Sequence, residues 1–318
     1  MSYLDELRTE LAKRHVKQSV IDDILADHED MIREAMNEGL SEAELNTKFG
    51  DPSRLAAELA NSSETEEEAK EPVGGSWKTF ALTSPELAVD VRLVNEDIAV
   101  RVHGGDELQI FSTASEKILK DYECDIQNGK LTLTAPKFKG FSLFGPVSNE
   151  CSFEIRVPKR ILLVGVKIAT VNGDIVGTGL EATQCETNTT NGDLHLSKGL
   201  IGKLKVNTVN GDVRLENLEL GSYLGSSVAA DTVMRSIKVK GDMILNSVSG
   251  DADIGDAVAD YAELSTVSGD LTGTEFYPVR LALKSVSGDI RIENKRRDAV
   301  EVVRKSTVSG SISIGGPR

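Results

Sequence analysis

Seven aspartates recur at a nearly fixed spacing in the C-terminal half of the chain, and carboxylates at such intervals could bind calcium. Six of them follow a glycine and Asp231 follows Ala230, in a phrase that reads hydroxyl residue, Val, Asn or Ser, Gly, Asp with few exceptions. The seven are Asp174, Asp193, Asp212, Asp231, Asp251, Asp270 and Asp289. Repeated Gly-x-Asp phrases occur in calcium-binding β-rolls, where carboxylates of adjacent coils share an ion. The chemistry that this pattern would support is a ladder of Ca²⁺ ions.

A purely structural role for the same aspartates competes with the calcium site. Each repeat has a single aspartate at its corner, whereas a β-roll repeats a nonapeptide with paired glycines. Aspartate in a turn commonly accepts backbone N–H bonds of its own turn. Carboxylates ~5 Å apart repel by only about 1 kcal/mol in water, so the column requires no cation. We therefore expect structural aspartates, each bonded within its own turn, with a calcium ladder as the alternative.

Other reactive residue types are scattered. The four histidines are His15, His28, His103 and His195. No His-Glu-x-x-His, Gly-x-Ser-x-Gly or phosphate-binding glycine loop occurs in the sequence. Some β-solenoids cleave polysaccharides with carboxylates along one face, but no pair of carboxylates stands out here. The sequence predicts a protein that is not an enzyme, has no catalytic residue and needs no cofactor.

One loop combines basic and aromatic residues. Three of the eight phenylalanines, Phe138, Phe141 and Phe144, lie close to Lys137 and Lys139. This composition suits insertion at a membrane interface or into a groove of a partner. Alternatively, the phenylalanines cover the open end of the fold. The five residues are the predicted interaction site.

The repeat itself predicts the fold. Its glycines are Gly173, Gly192, Gly211, Gly250, Gly269, Gly288 and Gly310, with Ala230 in one slot, at spacings of 19, 19, 19, 20, 19, 19 and 22 residues. A fixed period of this length indicates a solenoid. Apolar residues alternate around each corner, as Leu204 and Val206 before it and Val213 and Leu215 after it, which is typical of strands with one buried face. We expect the corner glycines to supply the positive φ of a bend, and we predict an all-β parallel β-solenoid of about eight coils over residues 161–318.

The segment before the repeats also predicts strands. Alternation and bounding turn residues indicate strands at Leu87–Leu93, Asp97–Val102, Glu107–Ser112, Lys130–Thr134 and Ser152–Val157. These strands lack the 19-residue register. We therefore expect residues 77–160 to form a β-segment that leads into the solenoid and caps its first coil.

The N-terminal region predicts a separate helical unit. A stripe of Leu4, Leu7 and Leu11 indicates the first of four short helices within residues 1–60. Residues 61–76 are rich in Glu, Ser and Gly and predict an acidic, flexible linker.

Two motifs of the helical unit, Gly39–Glu44 and Phe49–Ala56, make residues 1–60 similar to the HAAS signalling domain. That domain belongs to bacterial proteins encoded beside PadR-like regulators. The resemblance implies regulated signalling through protein contacts and brings no catalytic residues.

The repeated columns, together with Ile155–Lys159, make residues 77–314 similar to a bacterial β-strand-repeat family labelled "putative adhesin". LiaG-like envelope-stress proteins belong to it. The resemblance implies an extended β-solenoid without known catalysis and with a role at the cell envelope. LiaG-like members carry a membrane segment, and no such segment is visible in this sequence.

Composition limits the partners and the compartment. Residues 1–71 contain 19 acidic and 8 basic residues, a net charge of 8 − 19 = −11 out of −15 for the chain. Such acidity argues against binding to nucleic acid. Three cysteines, Cys124, Cys151 and Cys185, show no metal-binding spacing and are an odd number, which argues against a disulfide scaffold. With neither a signal peptide nor an apolar span in view, we expect a cytoplasmic protein, with association to a membrane as an alternative.

Two classes of function follow from these patterns. The first is a non-enzymatic scaffold or signalling module, linked to bacterial envelope stress or regulation. It would bind a regulator or a membrane protein through the helical domain and the solenoid face. The alternative is a surface adhesin or a glycan-binding or glycan-acting solenoid. Because little sequence follows Ile314, we also predict a homodimer through a solenoid end or a covered end.

Overall fold

The computed structural model of the chain describes residues 3–13, 25, 52–53, 56, 75–136, 151–295 and 300–315. The chain divides into two compact units, Met1–Val73 and Gly74–Arg318. Within the described residues, no helix has both the length and the apolar character needed to cross a membrane.

The first unit begins with helix α1 (Tyr3–Lys13). Leu7 and Leu11 are fully buried, while Leu4 is half-buried. Side chains four residues apart lie on one face of a helix, so these leucines form its packing surface. The first predicted helix is confirmed, whereas most of the other three predicted helices and the predicted linker lie outside the described residues.

The described part of the second unit is a β-structure with one short helix. Its elements are β1 (Lys78–Ala81), β2 (Glu86–Arg92), β3 (Asp97–His103), β4 (Glu107–Ser112), α2 (Glu116–Leu119), β5 (Glu123–Gln127), β6 (Lys130–Thr134), β7 (Ser152–Pro158), β8 (Leu162–Ala169), β9 (Ile175–Thr178), β10 (Glu181–Asn188), β11 (Leu194–Asn207), β12 (Val213–Ser227), β13 (Thr232–Val239), β14 (Asp242–Ser247), β15 (Ala252–Thr266), β16 (Leu271–Ser285), β17 (Ile290–Glu293), β18 (Glu301–Ser306) and β19 (Ile312–Gly315). The five strands predicted ahead of the repeats are confirmed as β2, β3, β4, β6 and β7.

Successive repeats stack as windings of a parallel solenoid. Each winding has one strand before its corner and one after it, and both pair in parallel with the same positions of the next winding. Val206, for example, lies between Thr187 of the preceding winding and Gly225 of the following one. Leu, Ile, Val and Met side chains of both strands fill the interior. The predicted all-β parallel solenoid of about eight coils is confirmed.

Each winding also has a second bend, which the sequence analysis did not predict. The pairing of β11 with β12 is interrupted at Lys198 and again at Gly202. Lys198 belongs to a column of residues with left-handed backbone conformation, which six successive windings share. They are Gly179, Lys198, Asn217, Ser236, Asp256 and Glu275, with φ between 52° and 71°. The members share a conformation and no side-chain chemistry, so the column is not visible as a motif.

The corner glycines serve a purpose other than the expected one. Gly129 and Gly179 are the glycines with positive φ among the described residues, so the expectation that the corner glycines supply positive φ is wrong. A Cβ atom on Gly192 would lie 1.9 Å from the carbonyl oxygen of Gly173, and one on Gly211 would lie 1.9 Å from that of Gly192. The windings therefore approach so closely at these glycines that a side chain there requires the backbone of the preceding winding to move.

Ala230 shows the effect of a methyl group at this position. The N–H of Asp231 donates to the Oδ1 of Asp212 over 3.1 Å. The equivalent distances between the aspartates of other neighbouring windings are 2.7–2.9 Å. The longest hydrogen bond of this aspartate series is therefore the one next to Ala230, which replaces a corner glycine.

The segment before the repeats contains windings of its own. β2 pairs in parallel with both β6 and β8, and β3 pairs in parallel with both β7 and β9. The β2–β3 winding thus lies between the β6–β7 and β8–β9 windings, although it precedes both in the chain. Its corner, Val94–Asp97, has Glu96 in place of glycine, which is why the repeat phrase does not reveal it. The antiparallel strands β1, β4 and β5 flank this end of the solenoid.

The last described winding has features of a protected sheet edge. β18 pairs with β16 through a register shift opposite Leu281 and Ala282, and Lys305 lies opposite the buried Leu283. Bulges and inward-facing charges are devices by which natural edge strands avoid pairing with other molecules. The predicted homodimer through a solenoid end stays a prediction.

A methyl group at a corner glycine is expected to destabilise the solenoid. Because the Cβ of Gly211→Ala would overlap the carbonyl oxygen of Gly192, we expect a loss of about 1–3 kcal/mol in the free energy of unfolding. The measurement is chemical denaturation of the full chain. Gly104→Ala is the matched control, since a Cβ at Gly104 has no neighbour within 4 Å. Equal stability of the two variants would contradict the close approach at the corner.

Candidate functional site: the corner ridge

The corners of the windings form a continuous edge that we call the corner ridge. Four columns of side chains build it, and each is defined by its position relative to the glycine. The hydroxyl column is Thr170, Thr189, Thr208, Ser227, Ser247, Thr266, Ser285 and Thr307. The valine column is Val94, Val171, Val209, Val228, Val248, Val267, Val286 and Val308, with Thr190 in one winding. The amide column is Asn95, Asn172, Asn191 and Asn210, continued by Ala229 and then Ser249, Ser268, Ser287 and Ser309. The aspartate column is Asp97 with the seven predicted aspartates.

The hydroxyl column closes the corners, except at Ser227, whose buried Oγ has no hydrogen-bond partner in the described part of the chain. Thr189 Oγ1 accepts a hydrogen bond from the N–H of Gly192 and donates to the carbonyl oxygen of the same residue, both over 3.1 Å. The equivalent donation to the glycine carbonyl recurs at Thr208 and Thr266. These hydroxyls are buried, and an unpaired buried hydroxyl would be costly. The column is therefore structural.

The aspartate column bonds adjacent windings to each other. The N–H of Asp193 donates to Asp174 Oδ1 over 2.8 Å, and the N–H of Asp212 donates to Asp193 Oδ1 over 2.8 Å. The series continues to Ser311, whose N–H donates to Asp289 Oδ1 over 2.7 Å. Each of these carboxylates accepts from the next winding, so the expectation of a bond within its own turn is wrong. The aspartates are still exposed along the ridge.

The amide column forms a second ladder beside the first. Asn191 Nδ2 donates to Asn172 Oδ1 over 2.7 Å, and Asn210 Nδ2 donates to Asn191 Oδ1 over 2.8 Å. Beyond Ala229, a serine hydroxyl takes over, since Ser268 Oγ donates to the carbonyl oxygen of Val248 over 3.2 Å. One polar group of each residue is thereby used between windings.

The valine column points outward, and the sequence analysis did not identify it as a surface. Val209, for example, is out of phase with Leu204 and Val206 of the preceding strand, because the chain bends between them. Its members from Val94 to Val286 expose 37–45% of their surface, and Val308 exposes 81%. One sequence signal could have revealed this exposed column. It is an apolar residue that falls out of phase between two stretches of alternating apolar and polar residues.

Glu96 closes the ladder at the β2–β3 winding. In the following windings, the N–H of an amide-column residue donates to a valine-column residue one winding earlier, as Asn172 does to the carbonyl oxygen of Val94 over 2.7 Å. At the β2–β3 winding the carboxylate of Glu96 is the acceptor instead. Its Oε2 accepts from the N–H of Val94 over 2.8 Å and from that of Asn95 over 3.0 Å. The residue that breaks the glycine column thus supplies the acceptor that the missing corner would have provided.

Buried polar side chains hold Glu96 in place. The hydroxyl of Tyr122 donates to Glu96 Oε1, and it lies 3.7 Å from the Sγ of Cys151. Burial and the neighbouring Glu96 raise the pKa of the Tyr122 hydroxyl. Burial also raises the pKa of the Cys151 thiol, against the effect of the hydrogen bond with Tyr122. Both groups therefore stay protonated at neutral pH, and the cluster is a structural cap rather than a nucleophile.

The predicted interaction site lies outside the described residues, so it stays a prediction. Its members are Lys137, Phe138, Lys139, Phe141 and Phe144. It belongs to the segment of the chain between β6 and β7.

The residues suited to metal chemistry are not brought together. Within the described ranges, no group of three or more His, Cys, Asp or Glu side chains is arranged to hold a metal ion. His195 Nε2 lies 3.4 Å from Glu216 on the outer surface. The calcium ladder along the aspartate column stays a prediction.

The comparisons with known proteins agree with both resemblances found in the sequence. The chain matches the model of the Toastrack DUF4097 family over residues 86–316 and the model of the HAAS domain over residues 2–58. No curated protein matches the chain.

Three crystal structures are similar to the solenoid. One, described as a "putative adhesin" from Parabacteroides merdae, has 14% identity and a TM-score of 0.49, and the match covers 76% of this chain and 95% of that one. A "putative lipid binding protein" from Parabacteroides distasonis has 19% identity and a TM-score of 0.48, with 78% and 98% covered. A "putative adhesin" from Bacteroides fragilis has 17% identity and a TM-score of 0.46, with 68% and 95% covered.

Asp289, the last aspartate of the ladder, is expected to make the stability of the solenoid depend on acidic pH. The backbone N–H of Ser311, followed by its hydroxyl, lowers the pKa of Asp289 below its ordinary value of 3.8. A carboxylate with a lowered folded pKa contributes stability above its unfolded pKa and loses it as the pH falls through the folded value. The contribution should therefore disappear below about pH 4.

The variant Asp289→Asn keeps a carbonyl acceptor but cannot titrate. We expect its free energy of unfolding to change less than that of the natural chain between pH 5 and pH 2, as measured by denaturant titration at several pH values. Asp121→Asn, an exposed position outside the ladder, is the control and should follow the natural chain. Identical pH profiles for all three proteins would refute the ladder's contribution.

Proposed function

We propose a function from the premise that the chain belongs to the Toastrack DUF4097 family and carries a HAAS domain. In this proposal the protein is a non-enzymatic scaffold of bacterial cell-envelope signalling. It binds protein partners through the helical unit and through the outer surface of the solenoid.

The single observation that carries the proposal is the use of the repeated polar side chains. Thr189 bonds to its own corner, Asp193 accepts from the next winding, and Asn191 donates to the preceding one. A reactive centre needs polar groups with altered pKa values that face a substrate. Here the recurring groups build a long, uniform surface, which suits recognition better than catalysis.

The cysteines support a cytoplasmic location within the same proposal. Cys124, Cys151 and Cys185 are free and buried. Burial raises the pKa of Cys185 to about 12 and that of Cys124 to about 11, so these thiols are unreactive. Free thiols without a disulfide partner are characteristic of reducing compartments.

Disrupting the helical unit is expected to remove one set of partners and leave the solenoid intact. Leu7 and Leu11 are fully buried on one face of α1, so Leu7→Asp with Leu11→Asp should unfold this unit. The measurement is affinity capture from a bacterial lysate by the full chain and by the double variant, followed by mass spectrometry. We expect a regulator or a membrane protein to be captured by the natural chain only.

Two results would contradict this reading of the function. One is capture of the same proteins by both forms, which would show that the helical unit binds none of them. The other is saturable binding of the full chain to a glycan array with no specific protein captured, which would favour the adhesin or glycan-binding alternative. Unchanged thermal unfolding of the solenoid in the double variant is the control.

The basic and aromatic loop provides a separate test of surface contact. We expect Phe138→Ser, Phe141→Ser and Phe144→Ser together to abolish association with anionic liposomes or with a captured partner, because the apolar side chains supply the contact area. Sedimentation with liposomes measures this association. Lys13→Ser in α1 is a control for non-specific charge effects. Unchanged association of the triple variant would dispose of the predicted interaction site.

A further inference from the structure

The valine column is an unusual concentration of exposed apolar surface. Of the 16 large hydrophobic residues that are exposed in the described part of the chain, eight belong to this one column. Scattered exposed apolar residues are normal, whereas contiguous ones mark interaction sites. Successive windings are separated by the strand spacing of ~4.8 Å, so the valines form a line along the ridge that Thr190 interrupts at one winding.

The fold does not require valine at this position. Thr190 occupies it in one winding, and the hydrogen bonds around it match those of other windings. The N–H of Asn191 donates to Val171 and the N–H of Asn210 donates to Thr190, each over 2.8 Å. A β-branched side chain is therefore sufficient for the corner, and the second methyl group of valine serves the surface instead.

The line of valines runs beside a line of negative charge. The aspartate column lies three residues away at every corner and repeats with the same spacing along the ridge. One oxygen of each carboxylate accepts an N–H bond, as Asp212 and Asp251 do from the next winding. The aspartates of the column are exposed to solvent. The ridge thus presents parallel apolar and anionic lines.

The complement of this surface is an amphipathic helix with a basic flank. Side chains three and four residues apart on a helix are about 5–6 Å apart, close to the ~4.8 Å repeat of the ridge. Apolar residues at this spacing can face the valines while Lys or Arg residues beside them face the aspartates. A two-stranded or extended partner has a repeat of about 6.6 Å for side chains on one face and fits the valine spacing less well.

The width and the charge of the ridge argue against a second copy of the solenoid as the occupant. Two solenoids would meet along a line one side chain wide, which is far from the ~800 Å² that each partner buries in a stable dimer. A second solenoid would also bring its own aspartates against this acidic surface. We propose that the corner ridge docks a basic amphipathic helix of another protein.

This assignment deepens the proposed scaffold function, because it names the kind of partner that the solenoid surface accepts. Its test uses the full chain and a fluorescent 18-residue peptide of Leu and Lys with the leucines on one helical face. The ridge variant carries Val209→Thr, Val248→Thr and Val267→Thr, each copying Thr190. Its matched control carries Leu200→Thr, Val258→Thr and Val279→Thr at exposed positions away from the ridge.

A second pair of variants tests the charges. Asp212→Asn, Asp251→Asn and Asp270→Asn remove three charges from the ridge but keep a carbonyl that accepts the N–H bonds. Glu181→Gln, Glu219→Gln and Glu293→Gln remove three charges elsewhere on the solenoid. We expect the Kd of the Leu and Lys peptide, measured by fluorescence anisotropy, to rise at least tenfold in both ridge variants. In both controls it should change less than twofold. A peptide with Glu in place of Lys should not bind.

Three results would overturn the assignment: natural affinity in either ridge variant, equal losses in a ridge variant and its control, or binding of the Glu peptide. Thermal unfolding checks that every variant is folded. The outcome is separable from that of the proposed function. If lysate partners are captured by the natural chain while the ridge variants bind the peptide with natural affinity, the scaffold stands and the ridge assignment falls. If no partner is captured by any form, the scaffold fails while the peptide still reports on the ridge.

Discussion

The close approach of neighbouring windings at the corner is the constraint on which the solenoid depends. A Cβ at Gly250 would lie 1.8 Å from the carbonyl oxygen of Ala230, and the other corner glycines are in the same situation. At this separation the backbone N–H of one winding reaches the carboxylate of the preceding one, as Asp251 reaches Asp231 over 2.8 Å. The close stacking of the windings therefore depends on two features that most corners share. One is a glycine without a side chain, and the other is the short carboxylate side chain that accepts the N–H bond.

A ladder of this kind must be ended at both extremes, because its last donors and acceptors would otherwise be unpaired. At the β2–β3 winding, the carboxylate of Glu96 accepts the two N–H groups of the corner and is fixed by Tyr122. At the far end, Ser311 replaces aspartate in its column and still donates its N–H to Asp289. The register shift of β18 and the position of Lys305 then make the final edge a poor template for pairing.

The same ladders determine what the protein presents to its surroundings. The hydroxyl column bonds within its own corners, and amide and carboxylate groups bond between windings. The surface that varies least along the solenoid is therefore the line of valines with the adjoining charges. A partner that follows this line would sense the period of the stack rather than the chemistry of any one winding. This property connects the solenoid to the scaffold function proposed for a chain that also carries a HAAS domain.

The sequence by itself determined the period, the parallel stacking and the β character of the solenoid. Residues equivalent to Thr189, Gly192 and Asp193 recur at a nearly fixed spacing because the same corner is built in most windings. It also located β2, β3, β4, β6 and β7, because alternation of burial is a local property of a strand. It could not reveal the second bend, since Lys198 and Glu275 share a backbone angle and no side-chain chemistry.

Only the tertiary structure decided which atoms the repeated residues bond. The partner of Asp193 lies in the next winding, 19 residues away, and the β2–β3 winding lies between two windings that follow it in the chain. Both facts arise from non-local pairing, which a periodic sequence leaves open because every winding offers the same groups. The exposure of Val209 was likewise settled by the corner, which turns that side chain outward between two strands whose apolar residues face the core.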